Sequence, residues 1–406
     1  MGALGFVALL VLAFLLSEDR RRIPWRTVLV GIALQIALAA VLINLSAARG
    51  AVLVLNGAAT ALQDATDQGT AFLFGYLGGG PPPFDVTHRA YTVVLAFKIL
   101  PLVLLISALG ALLFHWGVLQ RLTGAFAWLL RRSMGVGGAL ALAAAIHIFV
   151  GMVEAPLLIR PYLARMQRGE LFAVMICGMA GVAGTVMVIY ATVLGPVVPN
   201  ALGTIIVASI ISTPAGLAVA ALMVPFGPGE AGGELALRDR PVSSLDAIVR
   251  GTMAGVAPLV GITTMLLVGV SLVALVNMAL GLLPGGITLQ GLFAYLFRPV
   301  VWLIGVPWGE SAVAAKLLGT KTVLNEFIAY LDLAALPGDA LSARSRLIMT
   351  FALCGFANFG SLGILIGGMG AMVPERREEI VALGTRSLVS GTIATYLSGA
   401  VARVLG

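Results

Sequence analysis

The chain has 406 residues, of which 60% are hydrophobic and only 11% are charged. Soluble domains carry about 25% charged residues, so this composition excludes a soluble enzyme or binding module and predicts a polytopic protein of the lipid bilayer. The formal net charge of +7 would suit a nucleic-acid partner. Arginines beside apolar segments are, however, the usual cytoplasmic anchors of membrane proteins, and we expect no nucleic acid.

Eight apolar runs have about the length that crosses a hydrocarbon core, which takes roughly 20 residues as a helix. In chain order they are 2–17, 27–45, 90–114, 171–195, 197–225, 251–283, 345–370 and 381–405. The first lacks the basic leader and cleavage site of a signal peptide, so we expect a retained span. Three consecutive arginines, Arg20 to Arg22, place the first loop in the cytoplasm, and eight crossings then put both termini outside.

Between these spans lie apolar segments that are not typical of lipid-facing helices. Residues 115–132 and 287–304 predict interfacial amphipathic helices, since apolar side chains follow one face and arginines lie beside it. Residues 136–165 and 307–333 each carry a glutamate, Glu154 or Glu326, at membrane depth. Both segments predict re-entrant hairpins, because non-helical backbone is tolerated there when protein or a wet cavity surrounds it.

The order of the segments predicts an all-α fold with an internal repeat, which is common in secondary transporters. We expect N-terminal scaffold spans, a first repeat of interfacial helix, hairpin and broken helix, a linker, a further scaffold span and a second repeat. The corresponding ranges are 1–114, 115–226, 227–250, 251–286 and 287–406. The linker is Gly-rich and charged over 227–241.

Each hairpin is followed by a span that contains a break of small residues, from Cys177 to Gly184 and from Cys354 to Ser361. Glycine weakens a helix, and the freed backbone groups need partners that a ligand can supply. The alternative is close helix packing through small residues, which we favour for the first break. At the second break, the presence of Asn358 favours a ligand site instead. The two cysteines lie at matching places and predict no disulfide framework.

Glu154 and Glu326 are the main candidates for a solute site, because an ionisable group at membrane depth costs several kcal/mol and marks substrate or ion pathways. The alternative is a structural carboxylate paired with a nearby base, such as Arg160 or Lys321. We interpret the glutamates as acceptors for hydroxyl or N–H groups of a polar solute where the two hairpin tips meet.

His147 interrupts an apolar run four residues before Gly151. A lone histidine there is more often a packing residue, but its charge can change near physiological pH, which allows a role in proton movement. The sequence contains no Walker motif, dinucleotide fingerprint, HExxH or CxxC. We therefore expect that the protein is not an enzyme and that it uses no cofactor or metal. Coupling to an ion gradient remains as the energy source for transport.

The segment GVPWGESAVAAKLLGTKTVLNEFIAYLDL, followed by ALCGFANFGSLGIL, resembles the C-terminal signature of the concentrative nucleoside transporters. GMVEAPLLIRPYLARMQRGELFAVM is similar to the family's first hairpin and the helix after it. The similarity runs over nearly the whole chain. It implies a homotrimer of eight-span subunits in the bacterial inner membrane, whose transport domains move elevator-fashion against a scaffold.

The resemblance also implies a nucleoside site between the hairpin tips and the two broken helices. The ribose contacts of the family map onto Glu326, Asn358 and Ser361, with Phe356 and Asn325 nearby.

The base side departs from the family, whose members usually read Gly-Gln-Ser/Thr-Glu at the first tip. This chain reads Gly151, Met152, Val153 and Glu154. An apolar pocket discriminates only about 10–200-fold per methylene-sized difference, so we expect altered or loosened base selectivity and allow for a different ribosyl solute.

The sodium site implied by the resemblance departs as well. Its two side-chain oxygens map onto His147 and Gly181, while Val150 and Val182 offer only carbonyls. Sodium needs hard oxygen ligands, as calcium and magnesium do. We therefore favour a proton-coupled symporter, in which Glu154 shares the transported proton with His147. A sodium-coupled symporter and an uncoupled facilitative pathway of the same fold remain alternatives.

Overall fold

The computed structural model describes residues 1–44, 46–86, 93–227, 241–283 and 286–405. The first half of the described chain forms helices α1 Gly2–Leu15, α2 Trp25–Asn44, α3 Ser46–Phe74, α4 Leu95–Lys98, α5 Leu102–His115, α6 Val118–Met134, α7 Gly138–His147, α8 Glu154–Leu158, α9 Arg160–Leu163, α10 Arg168–Ala180, α11 Gly184–Leu194 and α12 Ala201–Met223. The predicted linker at 227–241 lies almost wholly outside the described residues.

The second half of the described chain continues with seven further α-helices. They are α13 Ser244–Leu280, α14 Leu289–Leu303, α15 Ser311–Val323, α16 Glu326–Ala335, α17 Ala343–Leu353, α18 Phe359–Met372 and α19 Arg377–Leu405. The nearly all-helical fold predicted for a polytopic membrane protein is confirmed.

Six helical stretches of the described residues are long and apolar enough to cross a membrane: Trp25–Asn44, Leu95–His115, Arg168–Leu194, Ala201–Met223, Ser244–Leu280 and Pro374–Leu405. Each corresponds to one of the eight predicted spans. The other two predicted spans contain shorter helices. The helix α1 has 14 residues, and the predicted span 345–370 is divided between α17 and α18 by the non-helical residues 354–358.

The predicted interfacial segments are helical, as α6 and α14. A helix that the sequence analysis did not predict, α3, follows α2 and has 29 residues. Its C-terminal half carries Gln63, Asp64 and Asp67, and this polarity hides it from a search for apolar runs. The helix matters to the site because it packs against α11 and α12.

Two sets of helix–helix contacts are extensive. In one, α1 and α2 lie against α12 and α19, and α10 and α17 also pack on α19. In the other, α5 runs along α13, and the two meet through small residues at Ser107 and Gly255. The N-terminal spans α1 and α2 thus pack with the repeat helices, and the division into scaffold and repeats stays a prediction.

Candidate functional site

Each predicted hairpin is a helix, a short turn and a second helix. In the first, α7 ends at His147 and α8 begins at Glu154. In the second, α15 ends at Val323 and α16 begins at Glu326. Both glutamates therefore open the second helix of their pair, where the positive end of the helix dipole favours a carboxylate.

The two broken helices touch each other at their breaks. The break between α10 and α11 spans residues 181–183, and the carbonyl of Gly181 accepts a hydrogen bond from the backbone N–H of Phe356 at 3.2 Å. Gly355 lies so close that an added Cβ would come within 2.8 Å of the Met179 carbonyl oxygen. The contact leaves Phe356 half-buried at the crossing point.

Glu326 lies at the centre of a buried cluster. Only 4% of this residue is exposed, and each of its carboxylate oxygens accepts one hydrogen bond. Asn358 donates from Nδ2 to Oε2 at 2.9 Å, and the phenol of Tyr190 donates to Oε1 at 2.6 Å. The donors come from the two broken helices, so one carboxylate joins the second hairpin to both.

Asn358 has a second role in the same cluster. Its Oδ1 accepts a hydrogen bond from the backbone N–H of Ser361 at 2.8 Å, which caps the N-terminus of α18. Asn325 caps α16 in the same way, through the N–H of Ile328 at 2.9 Å. Ser361 is buried in the first turn of α18. The structure therefore brings together Glu326, Asn358 and Ser361, with Asn325 directly before Glu326.

Lys321 is a buried cation of the second hairpin, 1% exposed. Its ammonium donates to the carbonyl of Ala352 at 2.8 Å and to the hydroxyl of Thr395 at 3.1 Å. It thereby satisfies a carbonyl near the C-terminus of α17, where helices lack intrahelical partners. Arg160 likewise donates to a carbonyl, that of Met372. Within the described ranges, neither base forms an ion pair with Glu154 or Glu326.

The first hairpin tip lies along α10 and α18. Met152 is buried against Gly178, and Val153 packs against Gly368 of α18. Gly151 is half-buried, and Glu154 is exposed. No hydrogen bond or ion pair between described residues joins Glu154 to the Glu326 cluster, so the convergence of the two glutamates stays a prediction.

Three of the predicted coupling residues, His147, Gly181 and Val182, lie in or near the first break. His147 is 2% exposed at the end of α7 and its Nε2 has no hydrogen-bond partner among the described residues. This nitrogen faces Gly178, where an added Cβ would lie 3.2 Å away. Val150 is half-buried, and its N–H is bonded to the carbonyl of Ile146. Val182 is fully buried, and Gly181 has no side-chain oxygen to offer.

The comparisons with known proteins agree over nearly the whole chain. It matches the family models described as "Na+ dependent nucleoside transporter N-terminus" over residues 4–77, "Nucleoside recognition" over 96–197 and "Na+ dependent nucleoside transporter C-terminus" over 204–403. An uncharacterized transporter of Haemophilus influenzae is 36% identical, with 98% of this chain and 96% of that protein covered. The chain belongs to the concentrative nucleoside transporter family.

Among the relatives of this concentrative nucleoside transporter, the nucleoside permease NupC of Helicobacter pylori is 32% identical, with 98% and 96% of the two chains covered. The structure of CNTnw in an inward-facing substrate-bound state has a TM-score of 0.91 and 36% identity, covering 100% of this chain and 97% of that one. The structure of a double variant of CNTnw in an outward-facing state has a TM-score of 0.90 and 35% sequence identity, again covering 100% of this chain and 97% of that one. The resemblance predicted from the motifs is confirmed, and the relatives are transporters rather than enzymes.

Two residues of the candidate site were not predicted. Tyr190 lies in an apolar helix, where the sequence pattern predicts that an aromatic residue belongs to the hydrophobic core. Lys321 was considered only as a partner for a glutamate, whereas its bonds are to Ala352 and Thr395. In both cases the partner lies far away in the chain, so no local pattern indicates it.

Proposed function

We propose that this chain is a proton-coupled symporter that imports nucleosides or a related ribosyl solute. The observation that carries the proposal is the buried Glu326 carboxylate, held by Asn358 and Tyr190 where the second hairpin meets both broken helices. A carboxylate offers about four acceptor sites, so two bound donors leave about two for the hydroxyls of a solute.

In the proposed site, the ribose is held by the side of the cluster that faces α18. The residues assigned to it are Glu326, Asn358 and Ser361, with Phe356 and Asn325 beside them. The base is assigned to the first hairpin tip, formed by Gly151, Met152, Val153 and Glu154. A thioether is only a weak hydrogen-bond acceptor and an isopropyl group has no polar atom, so this tip supports a base pocket of low selectivity.

The proposed coupling ion is a proton rather than sodium. A sodium site at the first break would need several oxygen ligands. His147 stands at the position of one such ligand and Gly181 at the position of another. The Gly181 carbonyl already accepts a hydrogen bond from the N–H of Phe356. The Nε2 atom of the buried His147 imidazole has no hydrogen-bond partner among the described residues, and we assign the transported proton to it. Burial alone disfavours the charged imidazolium, so the proposal has His147 share the proton with Glu154. Val150 and Val182 would supply carbonyls only.

The proposed movement is an elevator motion of the hairpins and broken helices against α5 and α13, in a homotrimer with both hairpins re-entrant. The exposed apolar side chains along α13 suit contact with lipid or with neighbouring subunits. For the orientation we propose a cytoplasmic first loop in an inner membrane and both termini outside. Glu18 of that loop pairs with Arg168 at the start of α10 and with Arg386 in the N-terminal half of α19. These ion pairs support placing the loop and the N-terminal parts of both helices on the same side of the membrane.

Purified protein in proteoliposomes tests the coupling. We expect uridine to accumulate inside when the outside is more acidic, with no sodium present. His147→Asn removes the titratable group and should abolish this accumulation while uridine exchange at equal concentrations continues. His115→Asn, at the end of α5, is the matched control and should behave as the wild type.

A second candidate function is sodium-coupled symport, which the description of the matching family models favours. Uptake driven by a sodium gradient alone, with no dependence on pH, would establish it and refute proton coupling. Equilibration without accumulation under either gradient would instead indicate an uncoupled facilitative pathway.

A further inference from the structure

The phenol of Tyr190 makes the shortest hydrogen bond to Glu326, at 2.6 Å, and belongs to none of the hairpin segments. It projects from α11, the second half of the first broken helix, and is buried. Its ring packs between Phe327, with centroids 5.7 Å apart, and Tyr330, at 5.2 Å. These aromatic neighbours fix the ring, and the ring fixes the direction from which the hydroxyl reaches Oε1.

A carboxylate with a single donor can turn about its last bond, because the terminal torsion of a glutamate is broad. Asn358 alone would therefore leave the plane of the Glu326 carboxylate undetermined. With Tyr190 on Oε1 and Asn358 on Oε2, the plane is set by two donors from two helices. The remaining acceptor sites then point in fixed directions, as recognition of particular hydroxyls requires.

We propose that Tyr190 is a positioning residue, whose hydroxyl aligns the Glu326 carboxylate so that the site distinguishes solutes by their ribose hydroxyls. This inference rests on the proposed function, because it concerns the same solute site. Tyr190 acts through Glu326 and need not touch the solute.

Tyr190→Phe is a clean probe of the inference, because it removes the hydroxyl and keeps the ring between Phe327 and Tyr330. Tyr396→Phe is the matched control. The hydroxyl of Tyr396 is also buried but has no hydrogen-bond partner within the described part of the chain. Its removal should leave the solute site unchanged.

The experiment is calorimetric titration of the purified protein with uridine, 2′-deoxyuridine and 3′-deoxyuridine. We expect the wild type to prefer uridine over at least one deoxy analogue. In Tyr190→Phe, uridine should bind about tenfold more weakly, because its hydroxyl loses one hydrogen bond to the misaligned, charged carboxylate. The deoxy analogue lacks that hydroxyl, so its affinity should fall less. The preference ratio therefore shrinks. Tyr396→Phe should keep both affinities within about twofold of the wild type.

A purely structural role for Tyr190 predicts an equal loss for all three solutes, and that result would overturn the inference, as would no loss at all. If the phenylalanine variant does not fold, 4-aminophenylalanine at position 190 restores a donor and should restore the ratio. Its failure to do so in folded protein also overturns the inference. A wild type that binds no nucleoside refutes the proposed function itself, whereas an unchanged ratio in a binding-competent Tyr190→Phe refutes only the role of Tyr190.

Discussion

At the scale of single residues, Glu326 is stabilised by neutral donors rather than by an ion pair. Burying a carboxylate without partners costs far more than a hydrogen bond returns, and here Tyr190, Asn358 and the N-terminus of α16 share that cost. The cation on the same hairpin, Lys321, is bound to a carbonyl and a hydroxyl instead. Lys321 therefore occupies none of the acceptor sites of Glu326.

Glu326→Gln tests this assignment. The amide keeps the shape but loses the charge, and it presents an N–H₂ group to donors that need an acceptor. We expect uridine binding to weaken by about 10–100-fold, since hydrogen bonds to a charged group contribute roughly 1.5–3 kcal/mol. Calorimetry on purified protein measures it, and Glu378→Gln, an exposed acid of α19, is the control. Unaltered binding and uptake by Glu326→Gln would show that the solute lies elsewhere.

At the scale of elements, the site depends on the crossing of the two broken helices. The second break passes so near the first that Gly355 lies against the backbone of Met179 and Ala180 and the side chain of Thr395. The same crossing holds Phe356 on the carbonyl of Gly181. Any group added at this point must separate the helices that carry Tyr190 and Asn358.

Gly355→Ala should therefore lower stability by about 1–3 kcal/mol, the usual cost of overpacking, and weaken uridine binding at the same time. Gly367→Ala, on the open face of α18 where nothing lies within 4 Å, is the matched control. It should be neutral or slightly stabilising, because alanine favours a helix over glycine. Thermal unfolding of both variants measures the difference. Equal melting temperatures would contradict a tight crossing.

At the scale of the whole molecule, α11 connects the proposed solute site with α3, which lies outside it. Tyr190 reaches Glu326, and two residues later the hydroxyl of Thr192 donates to Gln63 of α3 at 3.0 Å. Asp67 and Lys98 line the small cavity beside this bond. In the proposed elevator motion, α11 moves relative to α5, on which α3 also packs, and the contact between α11 and α3 would then break.

Cross-linking tests that motion. Gln63→Cys combined with Thr192→Cys places two thiols at the contact, and the native Cys177 and Cys354 are buried. A short bifunctional thiol reagent should then stop uridine uptake in proteoliposomes and leave uridine binding intact. Each single variant treated with the reagent should transport normally. Undiminished uptake after complete cross-linking would rule out movement between α11 and α3.

The sequence predicted the architecture well because a bilayer imposes simple rules. Long apolar runs became helices, the charged segments became hairpin-like pairs, and the small-residue stretches became breaks at 181–183 and 354–358. The helix α3 was missed because its polar residues, such as Gln63 and Asp67, conceal it. Its packing against α11 and α12 is tertiary and leaves no trace in local hydropathy.

The site was predictable only in part. Glu326 and Asn358 were expected to meet, and they do. Tyr190 was not expected, because the bond joins residues 136 positions apart and no periodicity reports such a pairing. Glu154 is exposed at the start of α8, and its convergence with Glu326 stays a prediction. The two glutamates occupy equivalent places in the repeat, yet equivalence in sequence does not make their surroundings alike.

Asn358 illustrates how narrowly one position can be constrained. Its carbonyl oxygen fastens the first turn of α18 and its amino group holds Glu326. Aspartate at this position would still accept the hydrogen bond from the N–H of Ser361, but it would place a second anion against Glu326. Serine would be too short to reach the Glu326 carboxylate. A solute that displaced the Asn358 amide would also remove the N-terminal cap of α18. Solute binding and a change in the first turn of α18 would then occur together.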